Sequence, residues 1–181
     1  HQAGPVGVAV SLFSGAGGLD LGVEAAGFEV AAAVERDRDA ADALEKNFPG
    51  MHADVIRDDI LAVDTATIRK AAGLRHNQRP ALLVGGPPCT PFSKSGYWLD
   101  WKRAGLDPDA SLLQAYTRVL DELQPRAFIL ENVYSLTFNN QASRPHFDRL
   151  RREIDEAGYA SDWRVLNAAD HGVPQARPRL I

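Results

Sequence analysis

Apolar stretches of strand length alternate along this chain with stretches in which apolar residues recur every three or four positions. That alternation is the signature of an α/β domain built on a largely parallel sheet. A first strand is predicted over residues 6–13, running into a glycine turn over 15–18, after which Leu19, Gly22, Val23 and Ala26 recur at helical spacing. A second strand over 28–34 ends in Glu35, and a helix over 37–48 is closed by Pro49 and Gly50. A weaker strand lies near 54–57, and a helix follows from about 65 to 72.

The second half repeats the alternation less evenly. Residues 81–84 form a short buried strand running into Gly85, Gly86, Pro87, Pro88 and Cys89, where two glycines and two prolines forbid continuation as helix or strand. Residues 93–109 are polar with Tyr97, Trp98 and Trp101 interspersed, a connection of a length often used for function. Leu112, Leu113, Tyr116, Val119, Leu120 and Leu123 mark one face of a helix capped near Ser111 and ended by Pro125. A strand over 127–130, a helix over about 145–157 with Phe147, Leu150 and Ile154 inward, and a strand near 161–166 complete the pattern. With no repeat, low-complexity tract or linker, residues 1–181 read as one domain.

Composition narrows the function classes. At 181 residues, 45% apolar and 24% charged, the chain is an ordinary globular domain, not collagen, a disordered tail or a disulfide scaffold. Its single cysteine cannot form an internal disulfide, and five scattered histidines offer no zinc-ligand spacing, so no metal site is expected. No apolar run is long enough for a bilayer, and the start at His1 lacks the flank of a signal peptide, so a soluble, cytoplasmic chain with no membrane partner is expected. The net charge of -4 speaks against a strongly basic nucleic-acid binder, but eight basic and twelve acidic residues lie in 1–89 against twelve of each in 90–181. Any polyanion contact is expected in the second half. The absence of an initiator methionine and a stop at Arg179, Leu180 and Ile181, which read as the start of a strand, suggest a cut chain.

Phe13, Ser14, Gly15, Ala16, Gly17 and Gly18 lie between a strand and a helix, where glycines let the backbone approach a small molecule closely. The dinucleotide pattern would need glycine where Asp20 stands, and the phosphate-loop pattern is absent. Glu35, twenty residues after Gly15, is placed to take both hydroxyls of a ribose. Asp59 is a candidate acceptor for an adenine amino group, or a helix N-cap. Cys89 is either a small buried apolar residue or, held on a proline-stiffened loop at the carboxyl edge of the sheet, a nucleophile. Glu131 follows the strand over 127–130, where desolvation would raise its pKa and suit proton donation near neutral pH. Asn132 beside it is a candidate loop-pinning residue. Arg177 and Arg179, at alternating positions, point to one side if extended, and suit either a planar polar group or a solvated face.

Four segments together resemble the cytosine-5 DNA methyltransferase family: residues 12–18 (LFSGAGG), 85–93 (GGPPCTPFS), 131–133 (ENV) and 172–179 (GVPQARPR), in the family's order and spacing. The resemblance covers nearly the whole chain and implies a Rossmann-like, S-adenosylmethionine-dependent methyltransferase fold, with a mostly parallel sheet, helices on both faces and truncation near the last strand. It implies S-adenosyl-L-methionine bound by Phe13, Ser14, Gly15, Ala16, Gly17, Gly18, Leu19, Glu35, Asp59, Ile60 and Pro87. It also implies catalysis by Cys89, Glu131 and Arg177 on a cytosine flipped out of double-stranded DNA. Pro88, Ser93, Asn132, Val133, Gln175 and Arg179 would contact the substrate. The cofactor half then runs over about 1–80 and the catalytic half over about 81–181.

Departures from the family occur at Ser11, Asp58, Thr90-Pro91 and Tyr134-Ser135, where members often have Asp, Gly, Gln-Gly and Pro-Gly. None removes a reacting group. Lys94, Lys102, Arg103 and the Trp-bearing loop are candidate DNA-backbone contacts. Family members continue into a target-recognition region and a last helix that completes the cofactor pocket, so a further C-terminal region or a partner chain is expected to carry recognition. Two other functions stay open: methylation of cytosine in transfer RNA, and a non-catalytic cofactor-binding subunit that needs a partner chain.

Overall fold

A computed structural model describes residues 4–47, 53–88, 110–141 and 143–181. The chain divides into two units, His1–Gly86 with Glu122–Ile129 and Pro87–Asp121 with Leu130–Ile181.

In the first unit, β1 (Val8–Leu12) is buried from Ala9 onward and lies at the middle of a five-stranded sheet. It is flanked by β2 (Glu29–Val34) and β4 (Leu82–Gly85), with β3 (Asp54–Ile56) and β5 (Ala127–Leu130) at the edges, in the order β3-β2-β1-β4-β5. The β1–β2, β1–β4 and β2–β3 pairs are parallel. Central parallel strands covered on both faces carry continuous rather than alternating apolar residues, which is why 8–10 and 82–84 read as unbroken runs. Gly7 is required by closeness: a Cβ there would lie 2.5 Å from the Cβ of Ala81, while Ala81 N–H donates to the Val8 carbonyl at 2.8 Å.

Helix α1 (Gly18–Ala25) packs Val23 with Ala9, Val30, Leu82 and Val84, and Leu19 and Phe28 border this core. Helices α2 (Arg38–Asn47) and α3 (Thr65–Ala71) begin at aspartates. Asp37 accepts from Ala40 N–H at 2.9 Å and Asp64 from Thr67 N–H at 2.7 Å, each satisfying one otherwise orphaned donor.

The second unit takes the greater part of α4 (Ala110–Leu123) and all of α5 (Arg144–Glu156). The face predicted for α4 is buried, with Tyr116 wholly so, and the helix starts at Ala110, leaving Ser111 inside it. On α5, Phe147, Leu150 and Ile154 are buried as expected, and Phe147 meets Trp163 edge-on with ring centres 5.4 Å apart.

The last strands depart from the expectation of a single sheet. β6 (Asn132–Val133), β7 (Val165–Asn167) and β8 (Pro178–Leu180) form a separate antiparallel sheet in the order β6-β8-β7. Against the strand expected near 161–166, β7 starts later. Its place is set by pairing Val165 with Leu180 and Asn167 with Pro178, and Val165 and Leu166 are exposed, so burial left no mark in the sequence. Among the described residues, no helix is long and apolar enough to cross a membrane.

Candidate functional site

The glycine turn leaves β1 through backbone that ordinary side chains rarely adopt: φ is +55° at Phe13 and Gly15 and +86° at Gly17. Gly17 N–H closes the turn on the Ser14 carbonyl at 2.9 Å, and Ser14 N–H reaches the Val34 carbonyl at 3.3 Å. Glu35 braces it from the end of β2. One carboxylate oxygen accepts from Gly15 N–H and the other from Asp37 N–H, both at 2.7 Å. Carboxylate oxygens hold about two lone-pair positions each, so this clamp leaves Glu35 capacity for ligand hydroxyls. The Cβ positions at Gly15 and Gly18 meet nothing within 4 Å, so the turn is an open cradle bordered by backbone, as an adenosyl ligand would require.

Asp59 accepts from Leu61 N–H at 3.0 Å and from the Arg36 guanidinium at 3.0 Å. The Leu61 amide foremost holds its carboxyl below the usual carboxylate range; burial opposes this lowering, and the Arg36 guanidinium adds to it. It is therefore an ionised acceptor at neutral pH. Ile60 is buried, Leu19 and Phe13 are half-buried, Gly17 is buried, and Ala16 and Gly18 are exposed. Sequence reasoning overlooked Arg36, whose only signal was its place between Glu35 and Asp37. It also treated Asp20 merely as a broken glycine pattern, whereas Asp20 is wholly buried.

In the second unit, Glu131 sits between β5 and β6, half-buried, and its Oε1 meets Arg179 Nε at 2.8 Å. Register explains the meeting: Val133 of β6 pairs with Arg179 of β8, which brings the guanidinium alongside the residue preceding β6. Asn132 is buried at 1% exposure and donates from Nδ2 to the carbonyl of Pro87 at 3.1 Å, pinning the buried Pro87 ahead of exposed Pro88. Val133 N–H donates to Asn132 Oδ1 at 2.8 Å.

Of the two arginines, only Arg179 lies in a strand. Arg177 precedes β8 and is exposed, its N–H donating to Asn167 Oδ1 at 2.9 Å. The extended pair anticipated for residues 177–179 thus becomes one ion-paired and one exposed arginine. Gln175, exposed, donates its N–H to the Val173 carbonyl at 2.7 Å. Cys89, Ser93, Lys94, Lys102, Arg103 and the Trp-bearing loop lie outside the described residues.

A family model of the C-5 cytosine-specific DNA methylase matches residues 8–181. The chain belongs to that family. Within the family it is similar to the type II methyltransferase M.SacI of Streptomyces achromogenes, 45% identical over 95% of this chain and 46% of that protein. It is also similar to M.AquIA of Picosynechococcus, 39% identical over 95% of this chain and 69% of that protein. The chain thus spans about half the length of most of the curated relatives it matches. Among solved structures, a prophage-encoded E. coli protein assigned as a DNA modification methyltransferase superposes with a TM-score of 0.77 at 28% identity, over 96% of this chain and 44% of that one. A mutant of Spodoptera frugiperda DNMT2 does so at 0.66 and 25%, over 96% of this chain and 48% of that one. These likenesses establish the expected Rossmann-like fold, with its mostly parallel sheet and helices.

Proposed function

We propose that this chain is the catalytic part of a DNA (cytosine-5-)-methyltransferase, a single domain that moves a methyl group from S-adenosyl-L-methionine to carbon 5 of cytosine. The observation that carries the reading is the arrangement around residues 131–132: a carboxylate oriented by Arg179, next to an asparagine that anchors the Pro-Pro segment leading into Cys89. Two side chains from one short strand junction thereby define an acid and steady the approach to a thiol. That is what an enzyme needs when its nucleophile and its acid must address one flat ring.

Cytosine carbon 5 is too weak a nucleophile to take a methyl group unaided. The Cys89 thiolate adds to carbon 6 while Glu131 assists at ring nitrogen 3, and electron density moves to carbon 5. Bound S-adenosylmethionine supplies an electrophilic methyl group. Loss of the carbon-5 proton then restores the double bond and expels Cys89. Arg177 contacts the flipped base, and Asn132 holds the loop in place. In the first unit, the turn over 13–19 would hold the cofactor's amino-acid part, Glu35 the ribose, and Asp59 with Ile60 the adenine. The family's description as a DNA methylase and the relatives' names as type II methyltransferases support DNA as substrate and a place in restriction and modification; this reading takes the DNA as double-stranded and the setting as cytoplasmic. A further region or partner chain would carry target recognition.

The test is a denaturation-resistant adduct between the complete protein and DNA containing 5-fluorocytosine, formed with S-adenosylmethionine. Fluorine cannot leave as a proton does, so the covalent species accumulates. An adduct lost in Cys89→Ala supports the proposal. No Cys89-dependent adduct on DNA defeats it, and an adduct formed on RNA in preference to DNA replaces the substrate.

A further inference from the structure

Asp20 is 0% exposed, and neither of its carboxylate oxygens has a hydrogen-bond partner among the described residues. A buried acid left in this state works against stability and calls for a reason. It stands in the first turn of α1, directly after the cofactor turn. Two other polar residues are buried in the same stretch: Ser11 at the end of β1 and Ser14 in the turn itself. The Ser14 hydroxyl donates to Ser11 Oγ at 2.8 Å. Having spent its one proton there, Ser14 leaves Ser11 with its own hydroxyl proton still to place. The Ser11 hydroxyl is also the polar group that eases the negative charge on Asp20.

We propose that Asp20 is a positioning residue of the cofactor turn: when the turn is occupied, its carboxylate accepts from the Ser11 hydroxyl and draws Ser11 and Ser14 into one directed chain, so that cofactor binding is coupled to release of the carboxyl proton. The inference rests on the reading that this turn holds S-adenosylmethionine.

An ionised carboxylate only accepts, so in the occupied turn the chain would run Ser14 to Ser11 to Asp20 and both serines would keep one orientation. A protonated carboxyl is itself a donor and competes for Ser11 Oγ, which loosens Ser14. Ser14 matters because its carbonyl closes the turn on Gly17 and its N–H ties the turn to Val34. Burial, foremost, pushes the Asp20 carboxyl up to about 6; the Ser11 hydroxyl opposes this and the charge of Glu24, one turn along α1, adds to it. Glu24 itself accepts from Val30 N–H at 2.8 Å. From β1 comes Ser11, and β2 and β4 present apolar Val30, Leu82 and Val84 to this helix. The proton thus sits where modest acidification can move it.

The decisive experiment is a carbon-13 NMR titration of the Asp20 carboxyl in the full chain, free and saturated with S-adenosylhomocysteine, paired with calorimetry in two buffers of different ionisation enthalpy. The carboxyl is expected to titrate near 6 in the free protein and lower when bound. Proton release should accompany binding between about pH 5 and 6.5, and affinity should weaken by up to about tenfold per pH unit toward acid. Asp20→Asn should flatten that dependence, and Ser11→Ala, which keeps the acid but cuts the chain, should abolish the bound-state shift. Binding that leaves the Asp20 titration unchanged overturns the inference while the cofactor reading stands. No saturable binding by the unaltered chain at any pH overturns both.

Discussion

The glycine turn and the Glu131 junction both place a carboxylate after a strand, yet they are built by opposite means. Glu35 holds its turn through the backbone amide of Gly15, which the parallel β1–β2 pairing brings to it, and through that of its near neighbour Asp37. Among the described residues, the side chain that holds Glu131 is Arg179, delivered by an antiparallel strand from far along the chain. Backbone donors cannot be mutated away, whereas a guanidinium can. The cofactor side should therefore lose function gradually under substitution and the acid side abruptly.

The largest test of that contrast is Glu131→Gln. Loss of a general acid is expected to lower methyl transfer by about 10²- to 10⁴-fold, measured with labelled cofactor, and to leave cofactor affinity untouched. A comparable loss of affinity would break the separation of roles.

Asp20→Asn should stabilise the fold at pH 7.5 by about 2–3 kcal/mol in urea unfolding. The folded carboxyl titrates near 6 against an unfolded value of 3.8. Between those values the native state holds the proton more tightly, so stability falls as pH rises through the window and stays low above it. The variant should lose that slope. Greater stability with weaker cofactor binding would mark Asp20 as retained for function.

Arg179→Ala should cost about tenfold in turnover by leaving Glu131 without its orienting partner, the pair being partly exposed and so partly screened. Glu35→Gln keeps one acceptor and turns the other end of the group into a donor facing an N–H. It should weaken S-adenosylhomocysteine binding by about tenfold, near 1.4 kcal/mol. If this loss exceeds that of Glu131→Gln on turnover, the contrast is reversed. Smallest, Asp64→Ala removes the α3 cap and should cost about 1 kcal/mol of stability with no change in either function.

Much of the parallel sheet was legible because its signal is local. Unbroken apolar runs at 8–10 and 82–84, and the buried face of α4 from Leu112 to Leu123, follow from spacing along the chain. β7 was misplaced because it is exposed and takes its position only from β8. Glu35 was legible as an acid at a strand end, and Asn132 as a loop-pinning residue. The partner that Asn132 finds, the Pro87 carbonyl 45 residues away, was not. Asp20 was visible as a residue but silent as a site, because its meaning lies in being buried beside Ser11.

By itself, then, the sequence determined the α/β class, the turn at 13–18 and the identity of the candidate reacting groups, since each depends on residue type and on neighbours a few positions apart. Only the tertiary structure decided which charge faces which: Arg36 on Asp59, Arg179 on Glu131, and, among the described residues, no hydrogen-bond partner on either oxygen of Asp20. Contacts of that kind are made where separate elements converge, and the energy of a charge depends on its partner and its burial, neither of which is written in the order of residues.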